Sequence, residues 1–243
     1  MEQCKLCLQQ VARLEKSHFL PAGVYRILRD GAEKNPNPWL LSSGKAFQTS
    51  WQMKAPLLCT GCEQRLSKRE TWVLAHCLRK DGKFPLRSIL ASRSPDLSSP
   101  ETTTRVHYVS KIPEISVSAI AYFAASIFWR GSVHPWNADG TAPVRLGPFQ
   151  ELFRQYLMGS QPFPKDCSLW VAVREGKEID RLTYAPIGKR QDNIHVYKFP
   201  MPGLAFLLAV SKNIPGNLRD RCFVHGRGNP IIVTQLLENL LIA

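Results

Sequence analysis

The alternation of apolar and polar positions along the chain predicts several helices and strands. From Ile115 to Trp129 the sequence reads ISVSAIAYFAASIFW, an apolar run without a charged residue, which predicts a helix buried on all sides. The run is shorter than the roughly 20 residues that span a bilayer, so no membrane association is expected. Pro148 opens a second helix, in which Phe149, Leu152, Phe153, Tyr156 and Leu157 follow i, i+3, i+4, i+7, i+8 spacing as far as Gly159. A third is expected from Glu63 to Leu78, a stretch without Gly or Pro in which Leu66, Val73 and Leu74 share a face. Val24 to Arg29 suits a short helix. Strands are predicted over Leu169–Val173, Ile194–Phe199, Leu204–Val210 and Ile231–Val233, with a weaker alternation over Arg105–Ile112.

Between these elements, the polar segment Asp30 to Thr49, which contains Gly, Pro and Asn, reads as a loop or insertion. The Ser/Pro/Thr-rich stretch at 94–104 (SPDLSSPETTT) has the composition of a linker. An α+β chain is therefore expected, with one domain over residues 1–93 and a second α+β domain, of unassigned role, over 105–243. A length of 243 residues accommodates a small domain joined to a medium one.

Charge adds a partner class. The formal net charge is +13. Residues 1–100 carry 16 Lys/Arg against 8 Asp/Glu, a net +8, and the remainder carries 16 against 11. Such an excess favours a polyanion, because phosphate contacts release counterions. A merely soluble basic protein is the plainer alternative. Arg65, Lys68 and Arg69, on the third helix, are the leading nucleic-acid contacts, and Arg79, Lys80, Lys83 and Arg87 lie along or beyond it. Trp51 and Trp72 nearby suit packing before base stacking.

Seven cysteines, an odd number, include two close pairs, Cys4/Cys7 and Cys59/Cys62. Thiolates two residues apart can approach one ion from a tight turn, and two such pairs complete the tetrahedral sulfur set of a structural zinc ion. The 51 residues between the pairs do not exclude the site, since loop-closure entropy grows only logarithmically. A redox C-x-x-C is the alternative. Cys77, Cys167 and Cys222 read as buried small hydrophobes. The thiols suit a reducing compartment, and without the pattern of a secretory signal the expected location is cytoplasmic.

Taken together, Cys4-Lys5-Leu6-Cys7, then Ser17-His18-Phe19-Leu20-Pro21, then Leu57-Leu58-Cys59-Thr60-Gly61-Cys62-Glu63 resembles the zinc-containing branch of the HNH endonucleases. The resemblance covers roughly the first 75 residues. It implies a treble-clef or ββα-metal core, nucleic acid as partner (DNA before RNA), and phosphodiester hydrolysis assisted by Mg2+ or Mn2+. His18 matches the histidine that deprotonates the attacking water. Glu63 matches the helix-start position that holds the catalytic divalent ion, where the family usually has Asn or His. Two positions depart from the pattern. Ser17 stands where an acidic residue usually precedes the histidine, and Lys54 stands where a central Asn is expected, with Gln48 or Gln52 as substitutes. Each bet has a structural alternative: His18 can pack against the fold, and Glu63 can complement the helix dipole. Glu70, on the same helix face at i+7 from Glu63, reads as a solvated residue.

Beyond the resemblance, Phe128-Trp129-Arg130-Gly131 with Val133-His134-Pro135-Trp136 reads as a helix end packed on its neighbour. Cys222, His225 and Arg227 lack an orienting acid, and Gly226-Arg227-Gly228 lacks the setting of a phosphate loop. Two functions follow. One is a nucleic-acid-binding, divalent-metal-dependent endonuclease; the other is a noncatalytic treble-clef zinc module binding nucleic acid or protein. In either, the second domain would select target or partner.

Overall fold

In the computed structural model, residues 1–29, 39–42, 45–48, 52–77, 83–99, 104–137, 139–174, 183–191, 193–224 and 230–235 are described. The apolar run forms helix Val117–Val133, whose residues 120–131 are all buried. Ser116 begins it, its Oγ accepting from the Ala119 amide at 3.3 Å. A helix buried all round needs partners on every side, which explains why its sequence carries no polar face.

The first part of the chain supplies short elements: β1 (Glu2–Gln3), β2 (Gln10–Val11), β3 (Glu15–His18), α1 (Ala22–Arg29), the hairpin β4 (Trp39–Ser42) and β5 (Lys45–Gln48), β6 (Lys54–Leu58) and α2 (Thr60–His76). β3 pairs antiparallel with β6, and the second cysteine pair sits at the start of α2. The β4–β5 hairpin lies in the segment expected to be a loop. There follow α3 (Pro85–Ala91), β7 (Leu97–Ser99), β8 (Thr104–Tyr108), a 3-10 turn at Val109–Lys111, α4 (Val117–Val133) and α5 (Phe149–Met158). Gly159 closes α5 in the left-handed region at φ 79°. The chain then forms β9 (Cys167–Arg174), β10 (Ile187–Gln191), β11 (Ile194–Met201), β12 (Leu204–Val210), α6 (Gly216–Arg219) and β13 (Ile231–Gln235).

A seven-stranded sheet runs in the order β10-β11-β12-β9-β13-β8-β7. Every pair is antiparallel except β13 on β9. α4 packs on it through Phe123 against Phe206 and Phe128 against Phe199, with ring centroids 6.1 and 6.4 Å apart. On its other sides α4 meets α2 and α5, the latter through Tyr122 and Tyr156. The fold is thus mixed α+β, and one buried cluster continues from Leu6 and Leu57 through α4 to Leu208 in the sheet.

One expectation is corrected, and one strand had no counterpart in the sequence pattern. Part of the segment read as a linker, Leu97–Ser99, is the edge strand β7, because its backbone can bond to β8 whatever its side chains are. The exposed strand β10 was missed, since all five of its residues face solvent and show no apolar alternation. No helix among the described residues is long and apolar enough to cross a membrane. Trp51, Arg79, Lys80, His225 and the Gly226-Arg227-Gly228 triplet lie outside the described residues.

Candidate metal centre and the side chains beside it

Each cysteine pair comes from a turn that the backbone fixes locally. In the first, the Cys4 amide donates to Gln9 O and the Leu8 amide to Cys4 O, with Leu8 in the left-handed region at φ 64°. The Lys5 amide donates to Leu57 O at 2.9 Å, holding this turn beside β6. In the second, Cys59 is the cap of α2, and its amide donates to Cys4 Sγ at 3.3 Å. The four thiols of Cys4, Cys7, Cys59 and Cys62 lie within 4.8 Å of one another. Zinc–sulfur bonds of about 2.3 Å give a tetrahedral edge of about 3.8 Å. Cys7 Sγ and Cys59 Sγ are 3.8 Å apart. The cluster can therefore hold one metal ion such as zinc, with every position of a four-coordinate shell filled by sulfur.

Electrostatics are uneven across the cluster. Burial opposes ionisation of Cys4, but the backbone amides of Cys7, Cys59 and Leu6 outweigh it and bring the thiol down to about 7. Burial pushes Cys7 and Cys62 up, and neighbouring thiols add to the rise at Cys62. A central cation reverses the resistance of these thiols, because thiolate is the liganding form. The first turn also leans on α5: Arg154 donates to Leu6 O at 2.7 Å and is clamped by Glu151.

No family profile, curated protein or solved structure matches this chain. The likeness to HNH nucleases thus rests on the cysteine, histidine and proline spacing alone.

His18 ends β3 opposite Lys54 on β6. Its Nε2 lies 2.8 Å from Gln52 Oε1, so Nε2–H donates and the lone pair is on Nδ1. Burial lowers the His18 pKa; the Gln52 bond and the Glu63 carboxylate pull it back up, while Lys54 and Arg130 lower it further. Glu63 is thus within electrostatic reach of His18, as are both cations. Glu63 Oε1 is buried and has no hydrogen-bond partner among the described residues. The Tyr25 ring lies 6.1 Å from that of His18, and burial pushes its hydroxyl up to about 12.

Glu70 departs from the expectation of a solvated residue. It is buried, and Arg130 Nη2 on α4 donates to its Oε1 at 2.6 Å. Ser126 Oγ is 3.2 Å from the same oxygen, and Arg130 Nη1 also reaches Phe19 O at 3.4 Å. A lone charge at the end of an apolar helix needs a partner, and the isolated Arg130 directly after the apolar run was the available signal. Ser67, between the two glutamates, is exposed.

The basic residues of α2 do not join this group. At about 100° per residue, Arg65, Lys68 and Arg69 lie roughly 160°, 140° and 120° round the helix from Glu63. Arg65 donates to Met158 O at 3.3 Å, and Arg69 sits over the Tyr122 ring at 5.4 Å, both toward α4 and α5. Arg87 is turned inward to Arg174 O at 2.6 Å. Among the described residues the cations that act on the histidine are Lys54 and Arg130, neither of which the spacing singled out as a phosphate contact.

Proposed function

We propose a zinc-stabilised, nucleic-acid-binding protein that hydrolyses phosphodiester bonds at His18 and Glu63. The observation that supports it is the buried, unpartnered Glu63 oxygen beside a histidine whose neutral form is favoured. In this reading the four cysteines hold a structural zinc ion that sets the start of α2 against β3 and β6, and so fixes the distance between Glu63 and His18. His18 Nδ1 takes a proton from water as the water oxygen attacks phosphorus and the P–O bond to the leaving strand breaks. Gln52 fixes the tautomer, and Lys54, exposed on β6, offers positive charge to a non-bridging oxygen. Mg2+ or Mn2+ held by Glu63 would supply further charge at the scissile phosphate. DNA is the expected substrate ahead of RNA, and residues 105–243 would select the target or a protein partner. The free thiols suit a reducing compartment such as the cytoplasm.

The test is cleavage of single- and double-stranded DNA and RNA with magnesium or manganese. His18→Ala and Glu63→Ala should each abolish cleavage while zinc content and nucleic-acid affinity stay unchanged. Equal cleavage by wild type and both variants would refute the assigned roles.

A second reading, a noncatalytic zinc module, is favoured by one observation: Glu70 is committed to Arg130, so among the described residues Glu63 is the carboxylate left in electrostatic reach of His18. Salt-sensitive binding without cleavage of any of the four substrates would select it.

A further inference from the structure

The far edge of the sheet holds a cavity that the cysteine cluster and the His18 group do not touch. Its volume is about 280 Å³, and Arg145, Gly188, Lys189, Arg190, His195 and Tyr197 contribute to its wall. In the antiparallel register Gly188 faces Tyr197 and Arg190 faces His195. Cross-strand partners point to the same side, so Arg190, His195 and Tyr197 share the cavity face, whereas Lys189, one residue out of phase, directs its side chain to the other face. Arg145 comes from the segment before α5. Among the described residues no carboxylate lines it, and Asp139 lies within electrostatic reach of Arg145.

The cavity is held in shape independently of any ligand. The Tyr197 hydroxyl donates to Arg145 O at 2.5 Å and accepts from Arg145 N at 3.1 Å. It pins the rim through the backbone and leaves the guanidinium outside that bond pair. A Cβ at Gly188 would stand 2.6 and 2.8 Å from Tyr197 Cε1 and Cδ1, so the glycine is what lets the ring lie across β10. On its inner side Tyr197 rests against Phe128 of α4, ring centroids 6.5 Å apart. Arg190 Nη2 donates to Asn193 Oδ1 at 2.7 Å, a neutral amide that orients the guanidinium without cancelling its charge.

We propose that this cavity binds phosphate, with Arg145 and Arg190 as the charged contacts and His195 as a ring N–H donor. Two guanidiniums offer the planar donor forks that match phosphate oxygens. A volume at the lower end of ligand pockets suits one phosphate group rather than a whole cofactor. The phosphate belongs to a nucleic-acid backbone lying along β10, since all five residues of this strand are exposed and the chain carries +13. The phosphate assignment stands on the cavity; its nucleic-acid source rests on the reading under Proposed function.

The experiment compares wild type with the double variant Arg145→Ala, Arg190→Ala, in which the Tyr197 bonds to the Arg145 backbone remain available. Two probes are titrated: a fluorescent single-stranded DNA oligonucleotide across a range of salt, and inorganic phosphate followed by NMR of the histidine resonances. Zinc content and thermal unfolding confirm that the variant is folded. The expected result is a loss of oligonucleotide affinity of about tenfold or more at low salt, with the salt slope reduced by roughly two. Phosphate binding lost in the double variant, with no oligonucleotide binding by wild type, would uphold the phosphate site and overturn its nucleic-acid source. Unchanged binding of both probes in the double variant, or no binding of either by wild type, would overturn the site. The His195 resonance reports this cavity and the His18 resonance the other site, so failure of the catalytic reading and failure of this one are told apart.

Discussion

Around the four cysteines order depends on a few directional contacts: tight turns, an amide-to-sulfur bond, the Lys5–Leu57 backbone bond and the thiols themselves. In the seven-stranded sheet it comes from large apolar side chains, Phe199 and Phe206 among them, packed under a largely apolar helix. The first kind of order disappears when one ligand is lost. The second degrades gradually as contacts are removed. Two short strands and a helix start bury little surface beyond the Leu6, Phe19, Leu57 and Leu58 side chains that join the common core, and a metal ion held by the four thiols would add free energy at a single point.

Removing that ion therefore gives the sharpest test of the difference. Chelation of the metal, or Cys59→Ser, should destabilise the cysteine region by on the order of 10 kcal/mol. Hydrogen exchange should show protection lost at Lys5, Leu8 and Phe19 and kept in β9 and β12. Equal loss throughout would mean that the two regions unfold as one, and full metal content in Cys59→Ser would remove the metal site altogether.

The joint between the regions comes next. Glu70→Ala leaves Arg130 buried without its carboxylate and should cost about 3–5 kcal/mol in urea unfolding. Adding Arg130→Met should recover much of that loss, since the uncompensated charge is then gone. A cost below about 1 kcal/mol for the single variant would show that the pair is not a joint.

Acid should have a smaller effect, shared by both regions, since burial lowers the pKa of His18 in the first as it does that of His107 in the second. His107 is buried in β8, and burial lowers its pKa, an effect that Arg105 adds to and Asp96 opposes. The unfolded chain then binds the proton more readily than the folded one. Stability is therefore complete above the ordinary histidine pKa of about 6.5 and falls as pH drops from there toward the depressed folded value. The slope should approach one proton per molecule at most, and His107→Gln should flatten it, as read by exchange in β8 and β13. A profile unchanged by that substitution would remove His107 as the cause.

The smallest effect on stability belongs to Lys68→Glu with Arg69→Glu, within about 1 kcal/mol, because both residues are exposed. Nucleic-acid affinity should nonetheless fall steeply with salt in wild type and be reduced in the double reversal. Salt-independent binding, or an unaltered dissociation constant, would exclude this helix face as the contact surface.

What could be read from the sequence follows from how local each cause is. The cysteine pairs were legible because a C-x-x-C turn presents its thiols whatever surrounds it. α4, α5 and β12 were legible because their periodicity or unbroken apolar run reflects burial directly. β10 was not, because an edge strand is defined by a backbone partner, and IGKRQ carries no trace of one. Glu70 was misread because its partner lies 60 residues away. The sidedness of Arg65, Lys68 and Arg69 was within reach, since a helical projection through Leu66 already sets them apart from Glu63.

One topological detail bears on how the chain is made. β13 sits between β8 and β9, pairing Val233 with Val106 on one side and with Ala172 on the other. While a ribosome is still translating the preceding 230 residues, β8 and β9 each present an unsatisfied edge, with no neighbour yet made to fill the gap. The sheet closes only when Ile231–Gln235 has emerged, pairing with β8 more than a hundred residues earlier in the chain. Folding should thus be late and slow relative to synthesis, and a nascent chain stalled before residue 230 should be the species most prone to aggregate or to recruit a chaperone.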